Sequence, residues 1–316
     1  MRALVLNQRL SFQSDYRQPQ SYPGESTVRV HLAGICGTDL ELARGYMAYV
    51  GVPGHEFVGH VVESGQPRLL GVRVTGEINA ACYACECCFA GLGRHCPNRT
   101  VLGILGRDGA FADYLRLPDK NLVPIPDSMP DELAVFIEPV AAAYEIFDQV
   151  RIGRDQKIAI LGDGRLGATV AMVLNAEGYE PIVGGHHEAK LQHLAALGLK
   201  VELEARLEAG FDVVADCTGT SAGFNRAAAL VKPRGRLILK STAAANAPMN
   251  LGLIVVNEIT VVGSRCGRFA PALAAIKEGR VDPRPLISAT YPLERGLAAF
   301  QAAATSTNFK VLLKIS

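Results

Sequence analysis

Residues Lys157 to Gly178 read KIAILGDGRLGATVAMVLNAEG: a short apolar strand, then Gly162-x-Gly164-x-x-Gly167, then a helix. A lone glycine triplet is weak evidence. One that directly follows a strand and opens a helix is much stronger, because each glycine then has a task. The glycines make the tight turn, let the backbone approach a pyrophosphate, and let the helix pack on the strand. The helix N-terminus then faces the phosphates. Gly162, Gly164, Arg165, Leu166 and Gly167 are therefore expected to bind a dinucleotide.

Outward from this stretch the βα alternation continues through PIVGG, DVVADCTG, RLILKST and ITVVGS. That pattern predicts a doubly wound parallel sheet, a Rossmann domain in an α/β protein. The end of the second strand normally carries an acid for the ribose 2′-hydroxyl. Here it reads Gly184-Gly185-His186-His187, with Lys190 beyond. A strand end without an acid and with nearby donors suits a 2′-phosphate, so NADP is expected over NAD, through Gly185, His186, His187 and Lys190.

The chain before residue 130 is different. RALVLN, TVRVHLAGI, FVGHVVES, VRVTGEI and AFADYLRL read as short strands split by glycine and proline, suggesting a partly open barrel or sandwich. Within this region Gly34–Glu56 holds a thiol (Cys36), a hydroxyl (Thr38), an imidazole (His55) and a carboxylate (Glu56) among several glycines. A thiolate and an imidazole suit zinc, and a carboxylate can add an oxygen ligand. Taken alone, Cys36 would more often be a small core residue. Further on, Cys82, Cys85, Cys88 and Cys96 follow C-x2-C-x2-C-x7-C. Four thiolates closing on one tetrahedral ion leave no position for substrate, so this second zinc is structural. Glu138 lies in an apolar run just before Pro139. It reads either as a carboxylate facing a cation or as a charge in the first turn of a helix.

The bulk numbers exclude several classes. With 316 residues, two domains are expected. A net charge of +1 leaves no basic footprint for nucleic acid or a membrane surface. No apolar run approaches a membrane span, and MRALVLNQRLSFQSD has no signal-peptide core. Eight cysteines without a secretion signal point to thiolates on zinc in a reducing cytoplasm.

With the four-Cys lobe, Gly54-His55-Glu56 and the GDGRLG turn in place, the chain resembles the zinc-containing alcohol dehydrogenase branch of the medium-chain dehydrogenase/reductase family, and most closely a poorly characterised bacterial subfamily. The resemblance covers nearly the whole chain. It implies a GroES-like β-rich catalytic domain (1–139 and 266–316, the zinc lobe near 80–98) and a Rossmann domain (140–265). It implies a catalytic zinc on Cys36, His55 and Glu138, with Glu56 as a neighbouring carboxylate that can enter the metal shell. Thr38 resembles the hydroxyl that relays the alcohol proton, and Lys310 a basic position near the coenzyme phosphates. Two positions depart from the pattern: Glu41 stands where many members have the histidine that ends the proton relay, and Gly37 where some have an arginine. The implied activity is reversible hydride transfer between an alcohol, polyol or sugar hydroxyl and NAD(P), in a homodimer or homotetramer. A zinc-free enone or quinone reductase would not need Cys36, His55 and Glu138 together. A non-catalytic NADP-binding protein would not need the relay hydroxyl.

Overall fold

The computed structural model describes residues 1–241 and 248–316. The chain divides into two compact units, Met1–Glu138 with Ile287–Ser316, and Pro139–Leu286.

The first unit is organised round the strand Glu25–Ile35. Val28 and Val30 are fully buried while Arg29 between them is exposed, the two-residue period of a strand with one face on a core. This strand pairs antiparallel with Glu56–Glu63, Tyr114–Pro118 and Lys310–Lys314. The sheet runs, edge to edge, Ile287–Pro292, Lys310–Lys314, Glu25–Ile35, Glu56–Glu63, Arg73–Gly76 and Leu122–Pro124. Its core includes the fully buried Phe57, Phe111, Leu115 and Leu117. The last strand of the chain thus pairs with one near its start, and the unit is discontinuous. Register does the important work: Gly34 lies opposite Glu56, and Ile35 opposite Val311. Cys36, Glu56 and Lys310 therefore sit at one end of three adjacent strands.

A separate short pair, Asn79–Ala80 with Thr100–Val101, closes the loop that carries the four cysteines.

The second unit holds a parallel sheet in the order Lys200–Leu203, Ile182–Gly185, Ile158–Leu161, Phe211–Asp216, Val231–Leu239, Thr260–Gly263. The order reverses between Ile158–Leu161 and Phe211–Asp216, which makes that junction the switch point where such sheets bind ligands. The helices Arg165–Ala176 and Ser221–Leu230 bury small and branched residues, among them Ala168, Val170, Ala171, Phe224 and Ala227.

The division at Leu286/Ile287 differs from the boundary expected at 265/266. The helix Phe269–Lys277 belongs to the second unit because it is tied there. A Cβ on Gly267 would lie 1.8 Å from the Ala141 carbonyl oxygen, so only glycine permits that approach. Arg268 pairs with Asp148 at 2.8 Å, and Arg280 with Glu177.

Candidate zinc and dinucleotide sites

Cys36 follows the last residue of the central strand and is the N-cap of the helix Gly37–Ala43. His55 and Glu56 open the neighbouring strand. The ligand atoms of Cys36, His55 and Glu56 lie within 4.8 Å of one another, and both His55 and Glu56 are buried. Gly34 makes room for the carboxylate: a Cβ there would lie 2.1 Å from Glu56 Oε2. Thr38 Oγ1 is 4.0 Å from Cys36 Sγ.

Asp39, fully buried, organises the group from behind. Its Oδ2 accepts from the Cys36 backbone N–H at 2.7 Å and its Oδ1 from the Gly54 N–H at 3.2 Å. His55 Nδ1 lies 3.4 Å from Asp39 Oδ1, but the two are not aligned for a hydrogen bond and this buried nitrogen has no such partner. Burial works to lower the His55 pKa, yet the Asp39 carboxylate and the Cys36 side chain overcome it and hold the imidazole well above its usual range. A thiol, an imidazole and a carboxylate with ligand atoms within 4.8 Å of one another fit a zinc ion.

The other group fits zinc by distance alone. Cys85 and Cys88 sulfurs are 3.5 Å apart, Cys82 and Cys96 3.5 Å, Cys85 and Cys96 3.7 Å, and Cys82 and Cys88 3.9 Å. A tetrahedron with Zn–S of about 2.3 Å has edges of about 3.8 Å. Cys87 and His95 lie outside this cluster.

In the second unit Gly162 has φ +111°, a conformation that favours glycine, and a Cβ on Gly167 would lie 1.9 Å from the Gly162 carbonyl oxygen. Beside Gly164 there is open space, and no side chain caps the helix Arg165–Ala176. An uncapped helix start facing open space fits a pyrophosphate. The residue between the first two glycines turns elsewhere. Asp163 Oδ2 accepts from the backbone N–H groups of His186 and His187, each at 2.8 Å, and His187 Nδ1 lies 3.0 Å from Asp163 Oδ1. A Cβ on Gly185 would lie 2.4 Å from Asp163 Oδ2.

Comparison with known proteins identifies the family. Residues 22–127 match the family model of the alcohol dehydrogenase GroES-like domain, and residues 166–278 that of the zinc-binding dehydrogenases. An L-threonine 3-dehydrogenase of Chelativorans sp. is 32% identical over 250 residues, 71% of each chain. The chain belongs to the zinc-containing alcohol dehydrogenase branch of the medium-chain dehydrogenase/reductase family. It is a zinc- and NAD(P)-dependent oxidoreductase. A sorbitol dehydrogenase of Halalkalibacterium halodurans is 28% identical over 323 residues, 94% of each chain. A crystal structure described as a short chain alcohol dehydrogenase (rspB) from Escherichia coli CFT073, complexed with NADH, superposes with a TM-score of 0.90 at 25% identity, covering 100% of this chain and 99% of that one.

Within this dehydrogenase, several expected site residues stand differently from the sequence reading. Glu138 is buried at the start of the helix Ile137–Gln149 but is not among the three residues whose ligand atoms cluster within 4.8 Å. Lys310, expected near the coenzyme phosphates, has its ammonium 2.6 Å from each oxygen of Glu56, with both residues buried. Glu41 pairs with Arg44 at 2.5 Å on the surface. The warrant for NADP was a strand end without an acid. An acid stands there after all, supplied by Asp163 from the glycine turn, and Gly185 is glycine because that carboxylate fills its side-chain space. The supposed cationic groups are likewise engaged with acids: His187 with Asp163, and His186 Nε2 with Glu204 at 3.0 Å. Burial lowers the Lys190 pKa against the pull of Asp163.

Asp39 and Asp163 are the residues that the sequence reading missed. Asp39 carried a signal, an acid three residues into a helix that starts at a candidate ligand, a place where side chains bond back to the cap. Asp163 carried only its position between two glycines.

Proposed function

We propose that this chain oxidises an alcohol or polyol hydroxyl with NAD(P), and reduces the corresponding carbonyl, at the cluster of Cys36, His55 and Glu56. The observation that carries this reading is the convergence of those three donors within 4.8 Å, with the Thr38 hydroxyl 4.0 Å from the Cys36 sulfur. A zinc-free reductase would have no use for that donor set. When bound, zinc supplies Lewis-acid polarisation of the substrate oxygen, and the nicotinamide supplies hydride exchange.

The chain's own residues do the rest. Cys36 and His55 hold the metal, and Asp39 keeps both in position from behind. Glu138 is proposed as the third protein ligand. Glu56 is the reserve carboxylate, restrained by Lys310. Thr38 takes the substrate proton and passes it outward. Gly162, Gly164, Arg165, Leu166 and Gly167 seat the coenzyme, its pyrophosphate at the helix start. Cys82, Cys85, Cys88 and Cys96 stabilise their lobe through a closed zinc site, whose thiolates suit a reducing cytoplasm.

Self-association is proposed through the second unit. Thr260–Gly263 is an edge strand, and beside it in sequence Leu251, Val255 and Val256 are exposed. An open edge with apolar neighbours is a surface that proteins usually cover. Among the described residues no helix is long and apolar enough to cross a membrane.

The test is a panel of simple alcohols, polyols and sugars, each offered with NAD and with NADP and followed at the reduced-nicotinamide absorbance. Turnover that disappears on chelation and returns with zinc is expected. A fully zinc-loaded protein that turns over none of the panel would overturn the reading.

A further inference from the structure

We propose that Asp163 makes this enzyme select NAD over NADP. Its carboxylate takes the place of the missing strand-end acid and occupies the two amides that a 2′-phosphate would use. The inference rests on the dehydrogenase reading and goes beyond it.

Three observations carry it. The His186 and His187 N–H groups follow the strand Ile182–Gly185 and precede the helix Glu188–Ala196, so they lie at the strand end where a sheet of this order carries its ribose-binding acid. Both are already satisfied by Asp163 Oδ2 at 2.8 Å. A phosphate would have to displace that carboxylate or sit against it, and like charges repel. The space is matched as well. Any side chain at Gly185 would collide with Asp163, since its Cβ would lie 2.4 Å from Oδ2 and 2.5 Å from the Asp163 Cβ. The glycine turn and the strand end are thus complementary: one residue supplies the acid, the other leaves room for it.

The ionisation state of Asp163 agrees. Burial tends to raise the Asp163 pKa, but hydrogen bonds from His187 and His186 hold the carboxyl below its ordinary range, so it is ionised at neutral pH. The surrounding groups are His187 on Asp163, His186 and Arg226 on Glu204, and the buried Lys190, which feels both Asp163 and Arg165. Both imidazoles are thus already engaged by carboxylates. Of the roughly four lone pairs of an ionised carboxylate, the two amides and the His187 imidazole use three, which leaves one on Oδ1 to accept from a ribose hydroxyl.

NADH and NADPH affinities can be titrated by nicotinamide fluorescence, without turnover, in the zinc-loaded wild type, Asp163→Ala and Asp163→Asn. The wild type should bind NADH at least tenfold more tightly. Asp163→Ala frees both amides and removes the charge, so the NADH:NADPH ratio should move towards NADPH by on the order of 100-fold, the scale of a like-charge juxtaposition. Asp163→Asn keeps an acceptor for the amides and should fall between the two, and it serves as the test variant if the alanine protein does not fold. Wild type binding NADPH as tightly as NADH, or a ratio unchanged in both variants, overturns the inference while leaving the dehydrogenase reading intact. Wild type binding neither nucleotide overturns both.

Discussion

Lys310→Met should expose how much the Glu56 carboxylate depends on its partner. Lys310 Nζ lies 2.6 Å from both oxygens of Glu56, and the two side chains are 3% and 1% exposed. Those exposures decide the magnitude. An ion pair in solvent contributes about 0–1 kcal/mol. A buried pair broken from one side costs about 3–5 kcal/mol, because the remaining charge is left without compensation. Methionine keeps most of the lysine stem's packing, so the loss reports charge. Guanidinium unfolding of the zinc-free protein measures it, and hydrogen exchange in the strands Glu56–Glu63 and Lys310–Lys314 locates it. Replacing both partners, as Glu56→Leu with Lys310→Met, should recover most of the loss, since an apolar pair in place of a buried ion pair is often nearly neutral. Zinc should also reduce the penalty of the single variant, by giving Glu56 another cation. A single variant within about 1 kcal/mol of wild type would refute the reasoning and class the contact with exposed pairs.

The two ligand sets predict about two zinc ions per chain by elemental analysis, with Cys82→Ser losing one and a constant stoichiometry arguing against the four-thiolate site. Glu138→Ala should lose the catalytic zinc and activity with the fold intact; as a mere helix-start charge it would cost about 1 kcal/mol with turnover kept. Asp39→Asn should weaken zinc at Cys36 and His55 by about 10–100-fold in a chelator competition, because the carboxylate accepts from the Cys36 backbone N–H and places its charge 3.4 Å from His55 Nδ1. Unchanged zinc affinity would make Asp39 a helix cap alone.

The sequence by itself determined the architecture and the chemistry. A strand that ends in Gly162-x-Gly164-x-x-Gly167 and opens a helix can be recognised because the turn is local: its geometry depends on residues a few positions apart. The four-cysteine lobe is legible for the same reason, its chelate rings being closed by short spacings. The tertiary structure decided which charges meet. Glu56 and Lys310 are 254 positions apart and join because Gly34 and Ile35 set the register of the strands on either side. Asp163 reaches the end of the next strand because Gly185 leaves the space empty, a fact visible only when both backbones are in place. Motif residues follow from local spacing. The acid that faces a given donor follows from strand register and from side-chain volume across the sheet, and neither is written in any one stretch of the chain.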